Sequence, residues 1–164
     1  MIVVGGGDTA AADAAFLSKI CSKIYLVHRR DSLRASRAYL NPLESSGNVE
    51  FIWNSAIQSV LSGQKVTGAV IKNLKTGKET TLDCDGIFVA VGNLPNTELF
   101  RDKIELDMHG YVVADESTKT SVPGVFAVGD MRTKPMRQIV TAVADGAVAS
   151  KMTEEYLIEH PFQR

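Results

Sequence analysis

The string Gly5-Gly6-Gly7-Asp8-Thr9-Ala10 follows directly on the apolar run Met1 to Val4 and opens an alanine-rich segment. No other part of the chain constrains its fold so much. A short β-branched run stopped by consecutive glycines reads as a buried strand ending in a tight turn. Asp8 and Thr9 offer capping side chains, and Ala10 to Ile20 predicts a helix with Phe16, Leu17 and Ile20 available for burial. Lys23 to Val27 predicts a second strand, giving a strand-helix-strand unit with parallel strands and a right-handed crossover. The pattern G-x-G-x-x-A in that setting is a dinucleotide fingerprint. Residues without a β-carbon let the backbone approach a pyrophosphate, and the N–H groups and positive dipole end of the helix face its charge. A glycine-rich turn without a ligand also fits the bare pattern.

The end of the second strand narrows the choice. An NAD-binding unit places an acidic residue there for the ribose hydroxyls, but this chain reads His28-Arg29-Arg30-Asp31-Ser32-Leu33-Arg34. A guanidinium forks onto phosphate oxygens through paired charge-assisted hydrogen bonds, so the exchange favours a 2′-phosphate and hence NADPH over NADH. The bland alternative is a solvated basic loop with Arg30 paired to a neighbouring acid.

A helix is expected over Leu33 to Leu43, followed by the turn Ser45-Ser46-Gly47-Asn48. Val49 to Trp53, Ala56 to Leu61, Val66 to Asn73 and Glu79 to Leu82 read as short strands of an antiparallel β-meander. Gly86 to Val91 is continuously apolar, as a buried parallel strand should be. The texture changes after Gly92, where a lobe boundary is expected. Beyond it come Tyr111-Val112-Val113, a buried run Val125 to Val128 ending at Gly129-Asp130, and a final helix over Arg137 to Glu159. The fold expected is α/β: a Rossmann-like, doubly wound nucleotide-binding lobe over residues 1–92 with an inserted β-meander, and a second lobe over residues 93–164.

A net charge of -1 supplies no overall field for nucleic acid or an anionic membrane, and no apolar stretch is long enough for a membrane span. Cys21 and Cys84 match neither a disulfide framework nor zinc spacing, which fits a reducing cytosol and two incidental thiols. His109 and His160 read as surface residues, and no metal site is expected. No secretory leader is read at the start of the chain. An opening at the first strand of a nucleotide-binding unit leads us to expect an excised or shortened segment.

The ordered set GGGDTA, HRRDSLRA, VAVGNLPNT at Val89 to Thr97, TSVPGVFAVGD at Thr120 to Asp130, and Arg137-Gln138 resembles the thioredoxin reductases and their close flavoprotein relatives. The resemblance extends over nearly all of the chain. It implies that Gly5, Gly6, Gly7, Asp8 and Thr9 lie at the NADPH pyrophosphate, with Arg29, Arg30 and Arg34 at the 2′-phosphate. His28 lies beside the adenosine phosphate or, equally, shapes the loop. In that family the FAD domain is split, so the second lobe would be its C-terminal portion, incomplete here. Gly129 and Asp130 would reach the ribityl region, with Arg137, Gln138 and Ile139 near the isoalloxazine ring. Alone, Gly129-Asp130 is as well explained by a strand-ending turn.

The activity so implied runs from NADPH to FAD to a protein disulfide to thioredoxin or a similar redox protein, in a cytoplasmic homodimer. The C-x-x-C pair that the family keeps before this glycine fingerprint is not in the chain. No catalytic residue is therefore assigned, and the isolated chain is expected not to reduce thioredoxin. A ferredoxin-NADP reductase of thioredoxin-reductase type, a peroxiredoxin-reducing flavoprotein and a noncatalytic NADPH-binding module remain alternatives at this level.

Overall fold

A computed structural model describes residues 1–161; residues 162–164, counted above in the second lobe, lie outside the described residues. The chain divides into two compact units, Met1–Gly92 and a second from Asn93 onward.

The first unit is built on a parallel sheet of β1 (Ile2–Gly5), β2 (Ile24–Val27), β3 (Val49–Ile52) and β7 (Ile87–Ala90), in the order β3-β2-β1-β7. Successive side chains of a strand point to opposite faces, and the sequence uses both. Val3, Ile24 and Leu26 pack with Ala10, Ala11, Ala14 and Leu17 of α1 (Asp8–Leu17) and with Leu43 of α2 (Arg37–Glu44). Ile2 and Val27 face the other way, onto Ala69, Ile71 and Cys84. That second layer is an antiparallel meander of β4 (Ser55–Ser62), β5 (Val66–Asn73) and β6 (Glu79–Asp83). Ile2, Val3, Ile24, Leu26 and Val27 are all fully buried, each such side chain contributing about 1.5–3 kcal/mol.

Several expectations need correction. The run at Val49 belongs to the parallel sheet, where it pairs with β2, so the meander has three strands. The first helix stops at Leu17; Phe16 and Ile20 are exposed, because the N–H groups of Lys19 and Ile20 turn back to Phe16 and Leu17 in a tight, non-α turn. The second helix starts at Arg37 rather than Leu33, since the N–H groups of Arg34 and Ser36 are already donated to Gly6 and to Asp8. β7 is an edge strand, with Phe88 and Val89 open to solvent.

In the second unit a small core of Val112, Ala114 and Ala127 is flanked by Ile104, Leu106 and Met131. Val125 to Val128 forms no strand: one bridge joins Phe126 to Lys119, and Val125 and Val128 are partly exposed. A short 3-10 turn at Gly129–Met131 precedes the long helix α3 (Ile139–Glu159). Among the described residues no helix is long and apolar enough to cross a membrane, and no group of three potential ligands is placed to hold a metal ion.

Candidate functional site

β2 and β3 lie to one side of β1, while β7 returns to its other side. The chain direction thus diverges between β1 and β7, and in open α/β sheets the crevice beyond the carboxyl ends at such a point is where ligands bind. A cleft of about 510 Å³ opens there, walled by Gly5–Gly7 and Thr9, by His28, Arg29 and Arg34, and by Ala90–Gly92.

The three glycines differ in what their missing side chains allow. A Cβ on Gly5 would overlap the Ala90 carbonyl and come within 2.6 Å of Ala10 Cβ, so strand β7 and helix α1 close tightly around it. A Cβ on Gly6 would overlap the His28 ring. At Gly7 an added Cβ meets nothing within 4 Å. Packing therefore explains the first two glycines and leaves the third facing open cleft. Gly7 is also the N-cap of α1 and supplies no side-chain acceptor, so the first N–H groups of the helix remain available to an anion.

The basic loop is tied over this turn at two points. Arg34 N–H donates to the Gly6 carbonyl at 2.7 Å, and Ser36 N–H donates to the Asp8 carboxylate at 2.7 Å. Asp8 is thus occupied in holding the loop. Arg29, Arg30 and Arg34 are exposed, and none is ion-paired among the described residues; the neighbouring Asp31 pairs with Lys75 at 3.6 Å. Arg29 and Arg34 line the cleft, whereas Arg30 is not among its lining residues. His28 is buried at the end of β2. Burial holds its pKa below the usual histidine value, and the cations of Arg29, Arg30 and Arg34 add to the shift against an opposing hydrogen bond to the Gly5 backbone. Its Nε2 is buried without a hydrogen-bond partner. Ser55 and Ala56, at the start of β4, complete the wall; no local motif marks them, because only the fold of the meander brings them to the strand ends.

In the second unit, Gly129 takes a left-handed φ of 74° that lets the chain turn out of Val128, and Asp130 follows it. The Asp130 carboxylate is exposed and has no hydrogen-bond or ion-pair partner among the described residues. Arg137 lies over the Tyr111 ring at 3.9 Å, with Nε 3.4 Å from the Asp130 carbonyl. Gln138 caps α3 in a reciprocal capping box with Thr141, and Ile139 is 85% exposed on the first turn.

This turn rests on a buried ion cluster that no motif in the sequence announces. Asp145 of α3 accepts hydrogen bonds from Gly129 N–H at 2.8 Å, Arg132 Nε at 2.9 Å and Nη2 at 2.7 Å, and Lys134 Nζ at 2.7 Å. The Arg132 guanidinium above all, then Lys134 and the Gly129 N–H, hold the Asp145 carboxyl far below the usual carboxylate range despite its burial. The available signal was a single acid among small residues, Ala144-Asp145-Gly146, downstream of the cations Arg132 and Lys134.

Comparison with known proteins agrees with this architecture. The family model described as pyridine nucleotide-disulphide oxidoreductase matches residues 1–146. A thioredoxin reductase of Peptoclostridium acidaminophilum is 44% identical over 96% of this chain and 52% of its own length. One from Listeria monocytogenes is 41% identical over 97% of this chain and 50% of its own. The crystal structure of thioredoxin reductase from Streptococcus pyogenes superposes with a TM-score of 0.78 at 40% identity, covering 96% of this chain and 52% of that one. The chain spans about half the length of the relatives it matches. With the family model covering most of its residues and relatives of this kind along nearly all of it, the chain belongs to the pyridine nucleotide-disulphide oxidoreductase family.

Proposed function

We propose that this chain is the NADPH-binding part, with the C-terminal portion of the FAD domain, of a thioredoxin-disulfide reductase. The observation that carries the reading is the pairing, in one cleft, of the unfilled space at Gly7 with the unpaired guanidiniums of Arg29 and Arg34. A pyrophosphate fits where a β-carbon would meet nothing and helix N–H groups are free, and a 2′-phosphate fits guanidiniums that have no carboxylate of their own.

In this reading the residues divide their work. Gly5 lets β7 and α1 close, Gly7 and Thr9 border the pyrophosphate, and Asp8 and the Gly6 carbonyl hold the basic loop in place. His28, kept neutral, fills the floor of the turn. Its three neighbouring arginines face the monoester, Arg29 and Arg34 from the cleft wall and Arg30 from outside it. In the second unit the unpaired Asp130 carboxylate suits the hydroxyl groups of a flavin's ribityl chain, and Arg137, Gln138 and Ile139 surround the start of α3. When bound, NADPH and FAD supply the hydride and electron transfer; the protein supplies binding, orientation and charge. Thioredoxin, or a redox protein like it, is the acceptor in this reading, with a cytoplasmic homodimer as the assembly.

Isothermal titration of the chain with NADPH and NADH tests it. The expected result is NADPH binding at least tenfold tighter; equal affinities would overturn the 2′-phosphate assignment. Absorbance of the purified chain mixed with FAD then asks whether the second unit takes up flavin.

A further inference from the structure

We infer that Asp145 is a positioning residue for Asp130, its carboxylate setting the Gly129–Asp130 turn in the place from which Asp130 meets the flavin. This rests on the flavin assignment just proposed for Asp130.

The turn has little of its own to hold it. It comprises only Gly129–Met131, and its closing hydrogen bond, from Arg132 N–H to the Gly129 carbonyl, is long at 3.5 Å. Its shape is instead imposed from α3. One Asp145 oxygen, Oδ2, takes the N–H of Gly129, the Nε of Arg132 and the Nζ of Lys134, while Oδ1 takes Nη2 of Arg132. Three points along residues 129–134 therefore converge on one carboxylate. The geometry is closed on the other side as well: Arg132 Nη1 donates to the carbonyls of Ala114 and Thr133, and Lys134 Nζ donates to that of Thr141.

The side chains of Arg132, Lys134 and Asp145 are 3%, 4% and 7% exposed, so water does not compete for these bonds. The second carboxylate near Arg132, that of Glu116, is 3.8 Å away and 93% exposed. Asp145 is thus the one buried anion facing two buried cations among the described residues, and the segment bearing Asp130 cannot relax without separating them. Asp130 itself stays unpaired in solvent, so the cluster fixes the backbone of the turn and leaves the functional carboxylate free.

The test uses the full chain. FAD is titrated against flavin fluorescence for the native chain, Asp145→Asn and Tyr156→Ala. The last loosens the far end of α3, where Tyr156 packs against Phe126, and touches nothing in the turn. Asp145→Asn is expected to weaken FAD at least tenfold and Tyr156→Ala less than twofold. If circular dichroism shows Asp145→Asn to be unfolded, the double variant Asp145→Asn/Lys134→Met, which leaves the net charge of the cluster unchanged, replaces it. Unaltered FAD affinity in a folded Asp145 variant would overturn the inference.

A second readout needs neither flavin nor a variant: hydrogen exchange at the Gly129 amide against pH. Protection of the Gly129 amide relative to an unstructured chain at the same pH, persisting below the ordinary carboxylate range, is expected; no such protection at neutral pH would equally overturn the role. The chain carries only the C-terminal portion of the proposed FAD domain, so a native chain that takes up no FAD leaves the decision to the Gly129 exchange, which tests whether Asp145 positions the turn.

Discussion

The Gly6 carbonyl accepts the backbone N–H of Arg34 at 2.7 Å, so the glycine turn and the basic loop share a hydrogen bond across 28 residues of sequence. This bond ties Arg34 to the glycine turn, and Arg34 lines the cleft together with Arg29.

Arg29→Ala and Arg34→Ala are each expected to weaken NADPH by about 1.5 to 3 kcal/mol, the range for hydrogen bonds to charged groups, while leaving NADH unchanged. Arg30→Ala should cost less, because Arg30 is outside the cleft lining. Isothermal titration of the three variants with both coenzymes checks the order.

The glycines should separate stability from binding. Gly5→Ala forces a β-carbon into the Ala90 carbonyl and toward Ala10, and overpacking of this kind costs about 1–3 kcal/mol. Gly7→Ala meets open space at an ordinary φ of -99°, so the midpoint in urea should move little while NADPH affinity drops.

His28 predicts a pH dependence in the first unit. Its folded pKa lies below the unfolded value of about 6.5. The unfolded chain therefore binds the proton first, and stability should fall as the pH drops below about 6.5. His28→Gln should flatten that slope in urea denaturation measured from pH 7.5 to 5.5.

Asp145 places the corresponding loss elsewhere in pH. Its folded pKa lies below the unfolded value of about 3.9, so its contribution is complete above that value and is lost as the pH falls through the folded pKa. Asp145→Asn strands two buried cations, and breaking a buried pair in this way costs about 3–5 kcal/mol. Thermal melts at neutral pH should show that loss, and melts toward low pH should show a shallower slope for the variant.

The first unit was largely legible because its elements are local. The glycine turn, the apolar runs of β1 and β2 and the arginines each declare themselves within a few residues. What the sequence did not reveal depends on partners far along the chain. The run from Val49 to Trp53 reads as one more short strand beside those of the meander, and only its pairing with β2 makes it parallel. Residues 33–36 have helical composition, yet the N–H groups of Arg34 and Ser36 are claimed by Gly6 and Asp8. In the second unit the exposed candidates Asp130 and Gln138 and the half-buried Arg137 were readable as a motif, while Asp145, which holds the turn, was hidden in an alanine-rich helix. Its importance comes from cations more than ten residues upstream.

β1 pairs with β2 after one short helix, but its other neighbour, β7, arrives only after the whole meander. During synthesis the half of the sheet carrying the arginines can therefore assemble while the opposite flank of β1 stands bare. The crevice acquires its second wall only when Ala90 reaches Gly5, and bringing ends together over so long a loop is the slow kind of closure. Coenzyme competence should thus be the last property the nascent first unit gains, and a ribosome paused before Ile87 would hold a chain with its basic loop formed and no crevice.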